Sequence, residues 1–326
     1  RTGAGQGRGA LHELPHRTGL RGVSLVVAAL GGNALLPRGE PPTTATHEAH
    51  VARASTALAA IARDHDLVVT HGNGPQVGLL ALRAALDGNG GSPLDVLGAE
   101  TEGWIGYLLE RGLRSVLPGR AVAALLTQVE VDPADPAMGR PTKPIGPLYD
   151  EETARRLAAE RGWSVERDEK GWRRVVPSPA PRRIVELEAI RLLVDHGVVP
   201  ICAGGGGVPV TTDESGRIRG VEAVVDKDAT AGLLARQLQA DVLLLLTDVD
   251  GVLLDYGSAD ERLLERATPD DLDALKLPAG SMGPKVAACS AFVRATRGRA
   301  AIGRLEDAAA LAAGDAGTQI DDDTEG

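Results

Sequence analysis

Apolar runs of strand length alternate with segments of helical period along most of the chain. VSLVVAAL (23–30), DLVVT (66–70), AVAALLT (121–127), VVPICA (198–203), DVLLLLT (241–247) and RAAI (299–302) read as strands. Between them Val51, Ala54, Leu58 and Ile61 recur at helical spacing, as do Ile184, Leu187, Ile190 and Val194, and later Val286, Cys289 and Val293. Strands that are aliphatic throughout are buried on both faces. Their alternation with helices predicts an α/β chain whose parallel or mostly parallel sheet carries helices on both sides.

One segment breaks this rhythm. From Asp132 to about Pro181 the chain is rich in Pro, Gly and charge, with DPADPAMGRPTKPIGPLYD, a helical pattern, and then WSVERDEKGWRRVVPSPAP. Trp163 and Trp172 flank what reads as a polar hairpin, and the whole predicts a small projecting subdomain that serves as a lid. Residues 1–22, rich in Gly, Arg and His, lack the apolar core of a signal peptide and read as a disordered extension, and 321–326 as an acidic solvated tail.

Composition sharpens the picture in three places. Aromatic residues make up only 2% of the 326, so the core must be aliphatic. The formal net charge is −10 with no polybasic block, which argues against nucleic acid or an anionic membrane as partner, and no apolar run is long enough to span a bilayer. Cys202 and Cys289 lie in apolar surroundings and read as reduced core residues of a cytoplasmic protein.

Four glycine-rich turns follow apolar strands: Gly31, Gly32 and Asn33; His71 through Pro75, with Gly72, Asn73 and Gly74; Gly204 through Gly207; and Thr247 through Gly251, with Asp248 and Val249. Each alone is a tight strand-to-helix connection. Four at the carboxyl edge of one parallel sheet point to a site where backbone N–H groups approach an anion. In a chain that favours arginine, Lys143 (in PTKP), Lys227 (in VDKD) and Lys285 (in GSMGPK) stand out, whereas Lys170 and Lys276 read as solvated. A helix N-terminus disfavours a cation, so Lys227 and Lys285 at helix starts imply an anion nearby.

Several familiar patterns fail. GSMGPK lacks the hydroxyl that follows the lysine of a P-loop, GNGPQV has valine where a dinucleotide fingerprint needs its third glycine, and no GxSxG or Cys–His arrangement supplies a nucleophile. His47 and His50 are one residue short of a zinc-binding HExxH and read as solvated helix positions. Lysines with backbone donors are instead the inventory of phosphoryl transfer, which needs positioning and charge and no covalent intermediate.

Taken in order, VVAALGGNALL, THGNGPQVG, TQVEVDPADPAM, PTKPIGP, RRVVPSP, ICAGGGGVPV, GVEAVVDKDATAG, LLLLTDVDGV, GSMGPKV and GTQI resemble the carbamate kinases of the amino acid kinase superfamily, from about residue 23 to 320. PTKPIGP separates these from the acetylglutamate, aspartate and uridylate kinases, which lack the projecting segment. The departures are small: Met138 where the family has Phe, and Ala229 where it has Leu.

The resemblance implies an open three-layer αβα sandwich around a mainly parallel eight-stranded sheet, as one domain over 23–320 with 132–181 as its lid, and a homodimer. It implies ATP + carbamate ⇌ ADP + carbamoyl phosphate, with Mg²⁺ carried on the nucleotide, used toward ATP in arginine catabolism. By motif, Gly31, Gly32, Asn33, Gly72, Asn73 and Gly74 would hold carbamate or carbamoyl phosphate. Lys143 would reach the acyl phosphate from the lid, Lys227 and Lys285 would flank the moving phosphoryl, and Asp226 or Asp228 would orient them. Thr247, Asp248, Val249, Met282 and Gly283, with Tyr256 near the adenine, would line the nucleotide side. The alternatives are another small-acid kinase of the superfamily and a catalytically silent nucleotide-binding regulator.

Overall fold

The computed structural model describes residues 23–32, 35, 43–86, 92–168, 171–275, 277 and 282–322. The extension expected over 1–22 and the tail residues 323–326 lie outside the described residues, as do Asn33, Lys170 and Lys276. In chain order the first elements are β1 (Leu25–Leu30), α1 (Thr44–Asp64), β2 (Asp66–His71), α2 (Gly74–Leu86), α3 (Leu94–Val116) and β3 (Val122–Ala124). Next come β4 (Gln128–Val131), β5 (Lys143–Tyr149), α4 (Glu151–Arg161), β6 (Ser164–Asp168), β7 (Gly171–Val176) and β8 (Pro181–Ile184). They are followed by α5 (Leu187–Asp195), β9 (Val199–Ile201), β10 (Val208–Thr212), β11 (Ile218–Gly220), α6 (Lys227–Leu238) and β12 (Val242–Thr247). The chain closes with β13 (Leu253–Leu254), β14 (Arg262–Leu263), β15 (Arg266–Ala267), α7 (Pro269–Ala274), α8 (Met282–Thr296), β16 (Arg299–Arg304), α9 (Ala308–Ala313) and β17 (Thr318–Ile320).

Eight strands form the main sheet in the order β15-β17-β16-β12-β1-β2-β9-β3. The pairs from β16 through β3 are parallel, and only β17 runs antiparallel to its neighbour β16. Because strand side chains alternate in direction, β1 feeds two cores. Val26, Ala28 and Leu30 face α1, α3 and α9, and Val27 and Ala29 face α6 and α8. Full burial of each Val or Leu in such layers stabilises by about 1.5–3 kcal/mol, which explains why these strands tolerate no polar alternation.

Three smaller sheets attach to this body, in the orders β11-β10-β4-β8, β5-β7-β6 and β13-β14. The β5-β7-β6 sheet and α4 lie within 132–181, where β6 and β7 form the expected hairpin, with Trp163 just before β6 but Trp172 inside β7 and not beyond it. Trp163 and Trp172 are each covered by a guanidinium, from Arg174 at 4.7 Å and Arg155 at 5.6 Å.

Two local expectations need correction. Ile184 ends β8 and does not open a helix, because its strand pairs with β4, Ile184 opposite Val129, before α5 begins. His47 and His50 are buried in α1 and not solvated. His47 packs on Trp104 of α3 at 5.3 Å and hydrogen-bonds through Nδ1 to the Thr43 carbonyl at 2.9 Å, so His47 belongs to the α1–α3 contact.

Candidate active site

The adjacent parallel strands β12, β1, β2 and β9 all end at one edge of the sheet, so the four glycine-rich turns stand side by side. They are packed on one another's backbones. The Gly31 amide donates to the Leu246 carbonyl at 2.9 Å, and the Gly72 amide to that of Leu30 at 3.0 Å. A Cβ at Gly72 would lie 2.8 Å from the Gly32 nitrogen and 3.3 Å from Cδ of Lys227. Glycine is therefore needed here for close approach, and that same crowding brings the Lys227 stem over the first two turns.

Lys227 is the first residue of α6, whose N-cap is Asp226. One carboxylate oxygen of Asp226 accepts from the amides of Asp228 (2.9 Å) and Ala229 (3.1 Å), and the other takes the Lys143 ammonium at 2.5 Å. Asp228 bridges the remaining two lysines, with Lys227 at 2.5 Å and Lys285, from the first turn of α8, at 2.8 Å. Lysines 143, 227 and 285, far apart in the chain, thus meet around two aspartates. Three ammonium groups against two carboxylates leave one positive charge in excess, and around Lys227, Asp228 and Lys285 little water screens it.

The electrostatics follow from burial and these partners. Burial pushes the Asp226 carboxyl up, but Lys143, the α6 amides and Lys227 outweigh it and hold the group below the usual carboxylate range. Burial pulls Lys227 below the ordinary lysine value against the attraction of Asp228, and the neighbouring Lys285 ammonium adds to the fall. For Lys285 burial acts in the same direction, but Asp228 and Asp226 overcome it and the group ends above its usual value. One shared carboxylate therefore leaves the two ammoniums unequal.

The segment carrying Lys143 reaches the site across α2. A Cβ at Gly78 of α2 would stand 2.3 Å from Cα of Gly146 in β5, so the two backbones touch. Asn73 is buried, and its Nδ2 donates to Oγ1 of Thr101 in α3 at 2.8 Å. Gly74 opens α2.

On the far side, Thr247 ends β12 and donates to Asp248 Oδ1 at 3.1 Å, and Arg304 donates to the Asp248 carbonyl at 3.1 Å while pairing with Asp250. Thr318 fixes the end of the same loop: its hydroxyl accepts from the Val252 amide (2.8 Å) and donates to the Leu264 carbonyl (2.6 Å). Val249 is half-buried in this loop, and Met282 and Gly283 are half-buried at the start of α8. Tyr256 is 80% exposed in the connection from β13 to β14.

Two buried polar residues behind the site were not anticipated from the sequence, Glu102 and Thr101 of α3, and His71, which heads the second turn at the end of β2, is buried with them. Glu102 accepts from the Gly204 amide at 2.8 Å and the Thr127 amide at 3.2 Å. Burial pushes its carboxyl up to about 8 against the pull of those amides, and Glu186 adds to the rise. Burial takes His71 down to about 4, partly offset by the Gly72 carbonyl that accepts from its Nδ1. The signal available was the phase of α3: Leu97, Thr101, Glu102, Ile105 and Leu109 all fall on its buried face.

Neither Cys202 nor Cys289 offers a nucleophile. Both are free and buried, and burial drives both thiols far above the usual range. Among the described residues no three His, Cys, Asp or Glu side chains gather as a metal site, and no helix is long and apolar enough to cross a membrane.

Comparison with known proteins places this geometry. The model of the amino acid kinase family matches residues 24–303. Carbamate kinase of Haemophilus influenzae is 48% identical over 303 residues, covering 92% of this chain and 98% of its own. Carbamate kinase of Rhizobium meliloti is 51% identical over 300 residues, covering 90% and 92%. Among solved structures, the carbamate kinase of Giardia lamblia bound to AMP-PNP is 39% identical with a TM-score of 0.85, over 93% of this chain and 99% of that one.

Proposed function

The chain belongs to the amino acid kinase family, in its carbamate kinase branch, and from that premise we propose that its site moves a phosphoryl group reversibly between ATP and carbamate. In the ATP-forming direction a terminal oxygen of ADP attacks the phosphorus of carbamoyl phosphate. A new P–O bond forms, the bond to the carbamoyl oxygen breaks, and carbamate leaves with the electron pair. The observation that carries this reading is the meeting of Lys143, Lys227 and Lys285 around Asp226 and Asp228 at the carboxyl edge of the sheet.

The physical logic is electrostatic. The moving phosphoryl spreads negative charge over its equatorial oxygens, and fixed ammonium groups in a poorly hydrated site offset that charge most strongly. The excess positive charge of the cluster supplies the offset, and Asp228 holds Lys227 and Lys285 side by side for the anion. Carbamate is small and planar, so its binding rests on the turns of Gly31, Gly32 and Asn33 and of Gly72, Asn73 and Gly74, with Lys143 on the acyl phosphate from a lid formed by 132–181. Thr247, Asp248, Val249, Met282 and Gly283 take the nucleotide, and Tyr256 is placed at its edge. Mg²⁺ suits such a site as the counterion of the nucleotide phosphates, because it keeps most of its ligands from phosphate and water. We place the enzyme in the cytoplasm, as a homodimer serving ATP formation in arginine breakdown.

The test is ATP formation from ADP, Mg²⁺ and carbamoyl phosphate, coupled to a reporter enzyme, beside ATP consumption with acetylglutamate or aspartate as acceptor. Activity with carbamoyl phosphate alone supports the reading, and turnover of either amino acid in its place overturns it.

A further inference from the structure

We infer that Thr101 and Glu102 of α3 are positioning residues for the reaction, fixing through Asn73 and Gly204 the distance between the carbamate-binding turns and the lysine-bearing start of α6. The inference rests on the preceding reading of which side of the site takes carbamate.

The Gly204–Gly207 turn is a wedge with a neighbour on each side. Gly205 has φ +68°, and a Cβ there would lie 2.1 Å from Nδ2 of Asn73. Gly206 has φ +98°, and a Cβ there would lie 2.3 Å from the carbonyl of Val225, just before the α6 cap. The Gly206 carbonyl in turn accepts from Oγ1 of Thr230, inside α6, at 2.9 Å. The wedge thus stands between the Asn73 side chain and the Val225–Asp226 backbone that leads into α6, and its position sets theirs.

What holds the wedge is Glu102. One oxygen takes the Gly204 amide at the foot of the turn, and the other takes the Thr127 amide, where the chain leaves β3 for β4. Thr127 completes the tie, because its hydroxyl accepts from the Ala203 amide at 2.9 Å. One residue earlier, Thr101 accepts from Asn73 Nδ2 and donates to the Gly98 carbonyl at 2.8 Å. Adjacent residues of one helix therefore grip both the wedge and the turn it presses on. Asn73, Thr101, Glu102, Thr127, Ala203 and Gly204 are all buried, so water does not readily replace a lost partner among them.

The chemistry of the carboxyl group makes the clamp specific. Ionised or protonated, each oxygen keeps a lone pair for an incoming amide, whereas the NH₂ of a glutamine has none. Glu102→Gln therefore keeps size and shape and leaves one of the two amides facing a donor. The nucleotide loop at 247–252 is held separately, by Arg304 and Thr318.

The experiment measures KM for carbamoyl phosphate and for ADP, with kcat, in the wild type, Glu102→Gln, Thr101→Val and Thr101→Ser. Displacing reacting groups by a fraction of an ångström lowers kcat/KM for carbamoyl phosphate about tenfold to a hundredfold in Glu102→Gln. Thr101→Val shows the same direction, Thr101→Ser, which restores the hydroxyl, returns toward wild type, and KM for ADP holds throughout. Should Glu102→Gln fail to fold, the Thr101 pair carries the test. Equal rises in both KM values, kinetics unchanged from wild type, or a Thr101→Ser that behaves like Thr101→Val would overturn the positioning role while leaving the proposed reaction standing. A wild-type protein with no carbamoyl phosphate activity removes both.

Discussion

Asp228 is the sole described counterion shared by two buried ammonium groups, and Asp228→Asn tests what that sharing is worth. Its side chain is 6% exposed, and those of Lys227 and Lys285 are 16% and 10% exposed. Both contacts are charge-assisted hydrogen bonds, of a kind that contributes about 1.5–3 kcal/mol each. Asparagine keeps one acceptor oxygen, so one lysine retains a partner while the other faces an NH₂ group. Leaving one buried charge unpaired costs about 3–5 kcal/mol, and for a chain of this size that is a fall in melting temperature on the order of 10 °C. Turnover falls as well, by about a hundredfold, because the ammonium geometry around the phosphoryl is lost. The variant also gains a pH signature. Lys227 already lies below the ordinary lysine value through burial, and without the aspartate charge it falls further. The residual activity should therefore rise as the pH is lowered. Thermal melts with ATP formation followed across pH measure all of this together. A variant that melts and turns over like the wild type would show that the carboxylate is not holding the two lysines, and the electrostatic account would be wrong.

Other expectations follow from separate contacts. Lys143→Ala should raise KM for carbamoyl phosphate and leave ADP binding intact, and equal effects on both ligands would argue against its reaching the acyl phosphate. Gly78→Ala puts a methyl group 2.3 Å from Cα of Gly146, pushing β5 away from α2. Use of carbamoyl phosphate should drop about tenfold or more as Lys143 is displaced, and unchanged kinetics would mean that this contact does not seat the segment. His71 titrates near 4 when folded and near 6.5 when unfolded, so the unfolded chain binds the extra proton in acid. Its contribution to stability is complete above pH 6.5 and is lost as the pH falls toward 4. Glu102 acts in the opposite sense: its contribution is complete below pH 4.5 and is lost as the pH rises through about 8. Between pH 4.5 and 6.5 the two oppose each other and cancel, so melting temperatures taken from pH 5 to 9 should stay level to about 6.5 and then fall until about 8. A level profile from 6.5 to 8 would contradict the Glu102 assignment, and a fall that begins below 6.5 would contradict that of His71.

The sequence made the body of the fold readable because β1, β2 and β12 are aliphatic on both faces, a pattern that few other structures allow. AVAALLT was read as seven strand residues, yet β3 ends at Ala124 and the chain then turns toward β4. The β11-β10-β4-β8 sheet escaped notice because its strands are only three to five residues long and their polar faces mask the period. Lys227 and Lys285 stood out as cations at helix starts, where the dipole is unfavourable. Asp228 and Lys285 lie 57 residues apart, so only the family resemblance, and not the local pattern, offered Asp226 or Asp228 as the partner of both lysines. Of the two aspartates offered by the resemblance, Asp228 bonds both Lys227 and Lys285, and Asp226 holds Lys143. The burial of His47 and His50 is not legible in the local pattern, and that of His47 depends on Trp104 of a helix distant in sequence. Glu102 and Thr101 were hidden for the opposite reason: polar residues on a buried helix face announce themselves only once the face is known.

The central claim is that Lys227 and Lys285 together stabilise the phosphoryl in flight. A single-turnover measurement of ATP formation, with carbamoyl phosphate and ADP saturating, tests it in Lys227→Ala and Lys285→Ala. Each variant should bind ADP normally and transfer the phosphoryl about a hundredfold more slowly than wild type, as expected for the loss of one electrostatic stabiliser. Transfer at the wild-type rate in either variant would remove that lysine from the reaction and contradict the account.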